Sequence, residues 1–153
     1  MAAAIQCLLC QVATSFLALP ISQVVEVTRP LPMTRLPDSP SWVAGVCVLR
    51  GSVTPVVDAR RLLTGRAAND APNASERWVS LRVAERRAAL AVDAVLRTYT
   101  LSEEQRDLPP LLASSAVVSE LATLDSKLLM VLQGAHLLSK DALSDLEGYA
   151  RGR

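Results

Sequence analysis

The apolar positions of this chain come in short bursts, each closed off by polar or turn-forming residues. Ile5 to Val12 is a compact apolar run bounded by Ala13-Thr14-Ser15, and Phe16 to Leu19 is a second that ends at Pro20. Together they predict an antiparallel pair of buried strands. Ile21, Val24, Val25 and Val27 recur at near-helical spacing before Arg29-Pro30 stops the element. A short helical turn and a twisted strand both fit that spacing. Leu31 to Pro40 carries Pro32, Pro37 and Pro40 and reads as an extended crossing segment. Ser39 to Val43 then predicts a one-turn helix with proline in its first turn.

The centre of the chain runs from Trp42 to Asp58. Val46 to Leu49 and Val53 to Val57 predict two strands of a β-hairpin reversing at Arg50-Gly51, where the glycine supplies a positive φ. Pro55 removes a ladder donor, which predicts an edge strand or a bulge. Asp58 is placed to cap a short helix, Ala59 to Leu63, ended by Gly65. Residues 66–76 are polar and read as an exposed loop. Trp78 to Ala84, Ala88 to Val92 and Val95 to Leu101 then predict a three-stranded meander, with turns near Glu85-Arg86-Arg87 and Asp93-Ala94. Leu108 to Leu111, with two prolines, is a further crossing. Val117 to Leu124 and Lys127 to Leu132 form a last hairpin about Asp125-Ser126, and Gly134 to Leu146 has a helical pattern. Short strands at regular spacing with proline-rich crossings predict a small all-β barrel or sandwich.

Composition narrows the picture. A chain of 153 residues is one domain of ordinary size, long enough to bury a core without staples. Half the residues are hydrophobic but only five are aromatic, so the core is built of Val, Leu and Ala. Sixteen basic against fifteen acidic residues leave a formal charge of +1, which gives no footprint for a nucleic-acid backbone and no polybasic segment for a membrane. Three cysteines cannot form a complete disulfide set and read as reduced thiols of a cytoplasmic protein. The uncharged first 25 residues lack the basic start of a signal peptide, and Gln6, Gln11, Thr14, Ser15, Pro20, Ser22 and Gln23 interrupt them too often for a spanning helix.

Candidate chemistry is sparse. His136 is the one histidine, within the expected terminal helix, and no nucleophile elbow, phosphate loop or zinc-protease pattern occurs. The expectation is a protein without catalytic activity and without a cofactor. Cys7-Leu-Leu-Cys10 has the spacing of half a zinc site, with Cys47 and His136 as conceivable completers. On a strand, residues three apart face opposite ways, so buried thiols are the better reading. Asp58 and Asp93 each follow a Val-rich strand, and capping or turn hydrogen bonds account for both. Interaction surfaces remain. Arg50 is a long cation at the turn of an apolar hairpin, and Glu26 is a lone charge among Val24, Val25 and Val27. Either the two form a salt link, or they are anchors for a partner.

At these residues a resemblance emerges. Val46-Cys-Val-Leu-Arg-Gly-Ser-Val-Thr-Pro-Val-Val-Asp58 resembles the signature of the CheW-like coupling domain, Gly-Val-x-Asn-Leu-Arg-Gly-x-x-x-Pro-Val-x-Asp. Phe16 to Ile21, Val24 to Val27, Leu36-Pro37, Trp42 to Gly45, Ala91 to Asp93 and Pro109-Pro110 follow in family order. The resemblance covers about Phe16 to Leu138. Departures are Val48 in place of the family's asparagine, Ala89 where many members have glycine, and Gln133 where the last strand often ends in Asp.

The resemblance implies a mainly β fold of two small SH3-like five-stranded β-barrel lobes with short helices. Lobe 1 would span roughly 13–65. Lobe 2 would span roughly 66–133 together with the N-terminal strand 5–12, and a C-terminal helix would cover 134–148. It implies a non-enzymatic adaptor coupling the cytoplasmic tip of a chemoreceptor to the regulatory domain of a CheA-type histidine kinase, at receptor arrays near the inner membrane. The receptor would lie in a groove between lobes, with Val24, Glu26, Gly45, Arg50 and Gly51 at receptor-side positions. A divergent member would serve a twitching, gliding or surface-sensing pathway with a different partner.

Overall fold

The computed structural model describes residues 4–65, 73–102 and 118–132, with Gly134 and Leu137 beyond them. Among the described residues ten strands follow in chain order: β1 (Ile5–Val12), β2 (Ser15–Pro20), β3 (Val24–Thr28), β4 (Val43–Leu49), β5 (Ser52–Asp58), β6 (Arg77–Val83), β7 (Arg86–Val92), β8 (Ala94–Leu101), β9 (Val118–Leu124) and β10 (Lys127–Leu132). A 3-10 turn, Ile21–Gln23, links β2 to β3, and one helix, α1 (Ala59–Thr64), follows β5. The strands form two five-stranded sheets, ordered β8-β1-β2-β10-β9 and β3-β6-β7-β5-β4.

Each sheet buries apolar side chains on both faces, which is why the strands read as near-continuous apolar runs. Along β1, Leu8, Cys10 and Val12 face the second sheet and pack with Val43, Val57, Val79, Leu81, Leu90 and Val92. Cys7 and Leu9 point the other way, onto Ala18, Leu101, Leu129 and Val131. The far face of the second sheet holds a third cluster, with Cys47, Leu49, Val56, Ala89 and the buried indole of Trp78. These three apolar layers are nearly all aliphatic, as the scarcity of aromatic residues requires.

Several expectations need correction. The one-turn helix at Ser39 to Val43 is a turn instead: the Val43 amide donates to the Pro40 carbonyl at 2.9 Å, and Val43 already opens β4. The ambiguous Ile21–Val27 stretch divides into the 3-10 turn and β3. A register shift between Val24 and Glu26 breaks the two-residue period, which is the source of the near-helical spacing. The meander fails at its third member. β6 and β7 pair with each other, but β8 pairs with β1 in the other sheet.

β2 pairs with β1 and, in parallel, with β10, whereas β6 and β7 complete the sheet of β3, β4 and β5. Pro55 does not mark an edge strand, because β5 lies between β7 and β4. It sits immediately before the parallel ladder to β7 begins at Val56, where its missing amide donor costs nothing. The expected crossing at Leu108 to Leu111, His136 and all but Gly134 and Leu137 of the expected terminal helix 134–148 lie outside the described residues.

Candidate partner-docking site

The β4–β5 hairpin closes with Leu49 opposite Ser52, leaving Arg50 and Gly51 as a two-residue loop. Both residues have positive φ, 51° at Arg50 and 80° at Gly51. That is the requirement of a type I′ turn, whose twist matches the flanking strands. The glycine was legible in the sequence; that the arginine itself takes the left-handed conformation was not. Its backbone is tied to the reversal and its side chain, 73% exposed, projects from the tip.

Arg50 reaches Glu26 across the molecule, Nε donating to Oε2 at 2.7 Å. Glu26 is on β3 and Arg50 follows β4, the two opposite edges of the second sheet. Four strand spacings of about 4.8 Å would set flat edges roughly 19 Å apart, beyond the reach of these two side chains. The sheet therefore curls until its edges meet at this end. The salt link left open at the sequence level is formed, and it leaves the guanidinium mostly in solvent. An ion pair so exposed contributes little to stability, about 0–1 kcal/mol.

Apolar side chains flank the pair. Val48 and Val53 face each other across the hairpin, 67% and 50% exposed, and Val25 and Val27 are exposed on β3. Val48 stands where the signature has asparagine, so the departure adds apolar surface beside the arginine. Val24 is half-buried against the inter-sheet core. Gly45 serves the packing of the backbone, since a Cβ there would lie 2.6 Å from the Thr34 carbonyl oxygen. Thr34 and Val46 exchange both backbone hydrogen bonds at 2.8 Å, so the crossing segment covers the outer edge of β4 at this point. The structure brings Glu26, Arg50 and Gly51 to one tip, and puts Gly45 underneath the crossing segment.

The other candidates resolve into scaffolding. Asp58 Oδ1 accepts from the Arg61 amide at 3.2 Å and caps α1, and Gly65, at a φ of 74°, ends it. Asp93 joins the two sheets. Its Oδ2 accepts from the Ala13 amide at 2.7 Å in the β1–β2 turn and from Arg60 Nη2 at 2.9 Å on α1. Its amide donates to the Gln11 carbonyl at 2.9 Å, and its carbonyl accepts from Asn73 Nδ2 at 3.0 Å. The role of Arg60 was missed because its partner is 33 residues away. Cys7 and Cys10 belong to different apolar layers on opposite faces of β1, so they do not converge. Burial pushes the Cys10 thiol up to about 12, which keeps it neutral. Among the described residues no helix is long and apolar enough to cross a membrane.

Fold and tip together define a class: a two-sheet β domain that presents a rigid charged reversal among exposed valines. The family profile described as CheW-like domain matches residues 6–142, and the chain belongs to that family. It is 27% identical over 126 residues to the chemotaxis protein CheW of Helicobacter pylori, covering 81% of this chain and 75% of that protein. Over 90 residues it is 37% identical to the chemotaxis protein CheW of Rhizobium meliloti, covering 59% of this chain and 56% of the relative. The crystal structure of the scaffolding protein TtCheW from Thermoanaerobacter tengcongensis superposes with a TM-score of 0.76 at 22% identity, covering 93% of this chain and 92% of that one. The mainly β fold expected from the signature is observed, its strands gathered in two five-stranded sheets.

Proposed function

We propose that this protein is a non-catalytic scaffold of a chemotaxis-type signalling assembly. It holds the cytoplasmic tip of a chemoreceptor against the regulatory domain of a CheA-type histidine kinase, on the cytoplasmic side of the membrane. The observation that carries the reading is the Arg50–Gly51 tip. A left-handed two-residue turn fixes the backbone, the guanidinium is exposed, and exposed apolar side chains stand on the same hairpin, Val48 and Val53, and on the strand of its Glu26 partner, Val25 and Val27. Rigid arginine amid exposed aliphatic residues has the composition of a protein-binding hot spot, because little conformational entropy is lost on docking. A helical receptor tip would lay an apolar face on the valines, and Arg50 with Glu26 would fix its register. Family membership and chemotaxis relatives support the same reading. The mechanism is then mechanical: signal passes as a change in the relative orientation of two bound partners.

Co-sedimentation with membranes carrying a chemoreceptor and a CheA-type kinase tests this. The wild-type chain is expected to enter a ternary complex, and Arg50→Ala to reduce its recovery at least tenfold with an unchanged thermal midpoint. Absence of the wild-type chain from the pellet, or full recovery of the variant, would overturn the proposal.

A further inference from the structure

A second group of arginines lies at the same end of the second sheet. β3 begins, β6 ends, β7 begins and β5 begins there, as the registers Val24 with Leu81, Val83 with Arg86 and Val56 with Ala89 require. Arg82 and Arg87 are direct cross-strand partners on β6 and β7. They share the face of Ser80 and Ala89, two pairs along the ladder, and Ser80 in turn pairs with Glu26. Arg82 is exposed and Arg87 half-buried. Like charges directly opposite each other on an antiparallel pair destabilise it. Among the described residues no ion pair to either arginine offsets that cost. Glu26 is engaged by Arg50, and among the described residues neither Arg82 nor Arg87 has a carboxylate in ion-pair range, Glu85 of the intervening turn included. Arg82 Nε instead donates to the Ala84 carbonyl at 2.9 Å, which holds the guanidinium beside the turn.

We propose that Arg82 and Arg87, with Arg50, form an arginine-lined landing for an acidic segment of a partner protein. The inference rests on the scaffold reading and specifies the chemistry of the partner at that tip: carboxylates spaced to meet two guanidinium forks. Arginine matches a carboxylate with two parallel hydrogen bonds, and a repulsive pair left unneutralised in the free protein gains most when an anion arrives. A protein segment fits better than nucleic acid. The arginine pair lies at one end of one sheet, the formal charge of the chain is only +1, and the hairpin that carries Arg50 exposes the apolar side chains of Val48 and Val53. A phosphate backbone calls for a longer basic track.

The test is an NMR titration of the isotope-labelled full chain with a blocked helical peptide carrying glutamates at i, i+4 spacing. The same peptide with glutamine in their place, and a short DNA duplex, serve as controls. Expected are shift changes confined to residues 24–28, 48–53 and 80–89 with the glutamate peptide alone, an affinity that falls as salt rises, and at least tenfold weaker binding by Arg87→Glu. The same variant puts opposite charges across the strand pair, so its thermal midpoint should rise by about 1–3 °C while binding is lost. An arginine kept only for folding would give the reverse. Equal binding of the glutamine peptide or the duplex, scattered shifts, or undiminished binding by Arg87→Glu overturns the inference. The two proposals fail separately. A ternary complex that forms undiminished with Arg82→Glu/Arg87→Glu sinks this one and leaves the scaffold standing; glutamate-specific binding at this end without a ternary complex does the opposite.

Discussion

Two ion pairs of nearly equal length sit at opposite kinds of place in this molecule. Arg50–Glu26 spans 2.7 Å at the tip of the second sheet, and Arg60–Asp93 spans 2.9 Å at the junction of the two sheets. At the junction both side chains are about three-quarters buried, and Asp93 also accepts from a backbone amide of the other sheet. At the tip the arginine is in solvent and nothing else depends on it. Length therefore says little about the work an ion pair does. The number of other groups that lose a partner when it is removed says much more.

The sharpest way to break that contrast is Asp93→Ala. It leaves the Ala13 amide and the Arg60 guanidinium without their acceptor, and should cost about 2–3 kcal/mol in denaturant unfolding. Gly45→Ala comes next. Its methyl must displace the Thr34 carbonyl from β4, at about 2 kcal/mol, and should speed hydrogen exchange at the amides of Thr34 and Val46. Asp58→Ala removes the cap of α1 and should cost about 1 kcal/mol by the same measurement. Smallest is Arg50→Ala, expected to change stability by less than about 1 kcal/mol while weakening partner binding most. If Arg50→Ala destabilised the fold as much as Asp93→Ala, the distinction between a docking tip and a structural clasp would collapse.

What could be read in advance was local. The hairpins at Arg50-Gly51 and Asp125-Ser126, the cap at Asp58 and the opposed faces of Cys7 and Cys10 depend on neighbours within a few residues, so their patterns survive in the sequence. Pairings between distant segments do not. β8 joins β1 rather than β7, and β2 meets β10 in parallel, because those contacts are selected by burial of whole faces. The site was legible to the same depth. Glu26 and Arg50 stood out as charges without local reason, and their meeting was one of two open readings. Gly45 was placed on the receptor side by the resemblance alone, and nothing nearby in sequence announces the Thr34 carbonyl above it. Arg82 passed as a polar strand position and Arg87 as a turn residue, since their confrontation appears only once the β6–β7 register is known.

The order of strands in the first sheet has a consequence for how the protein is made. Its opening members, β1 and β2, are translated before the rest, yet their neighbours β8 and β10 lie more than 70 residues later in the chain. During synthesis the amino-terminal pair must wait with bare edges while the whole second sheet, β3 to β7, is translated and can close on itself. Because β1 and β2 precede the second sheet and β8 to β10 follow it, no single cleavage of the chain separates the two sheets. Assembly is set by closure of long loops, which favours slow folding and a need for protection of the nascent hairpin.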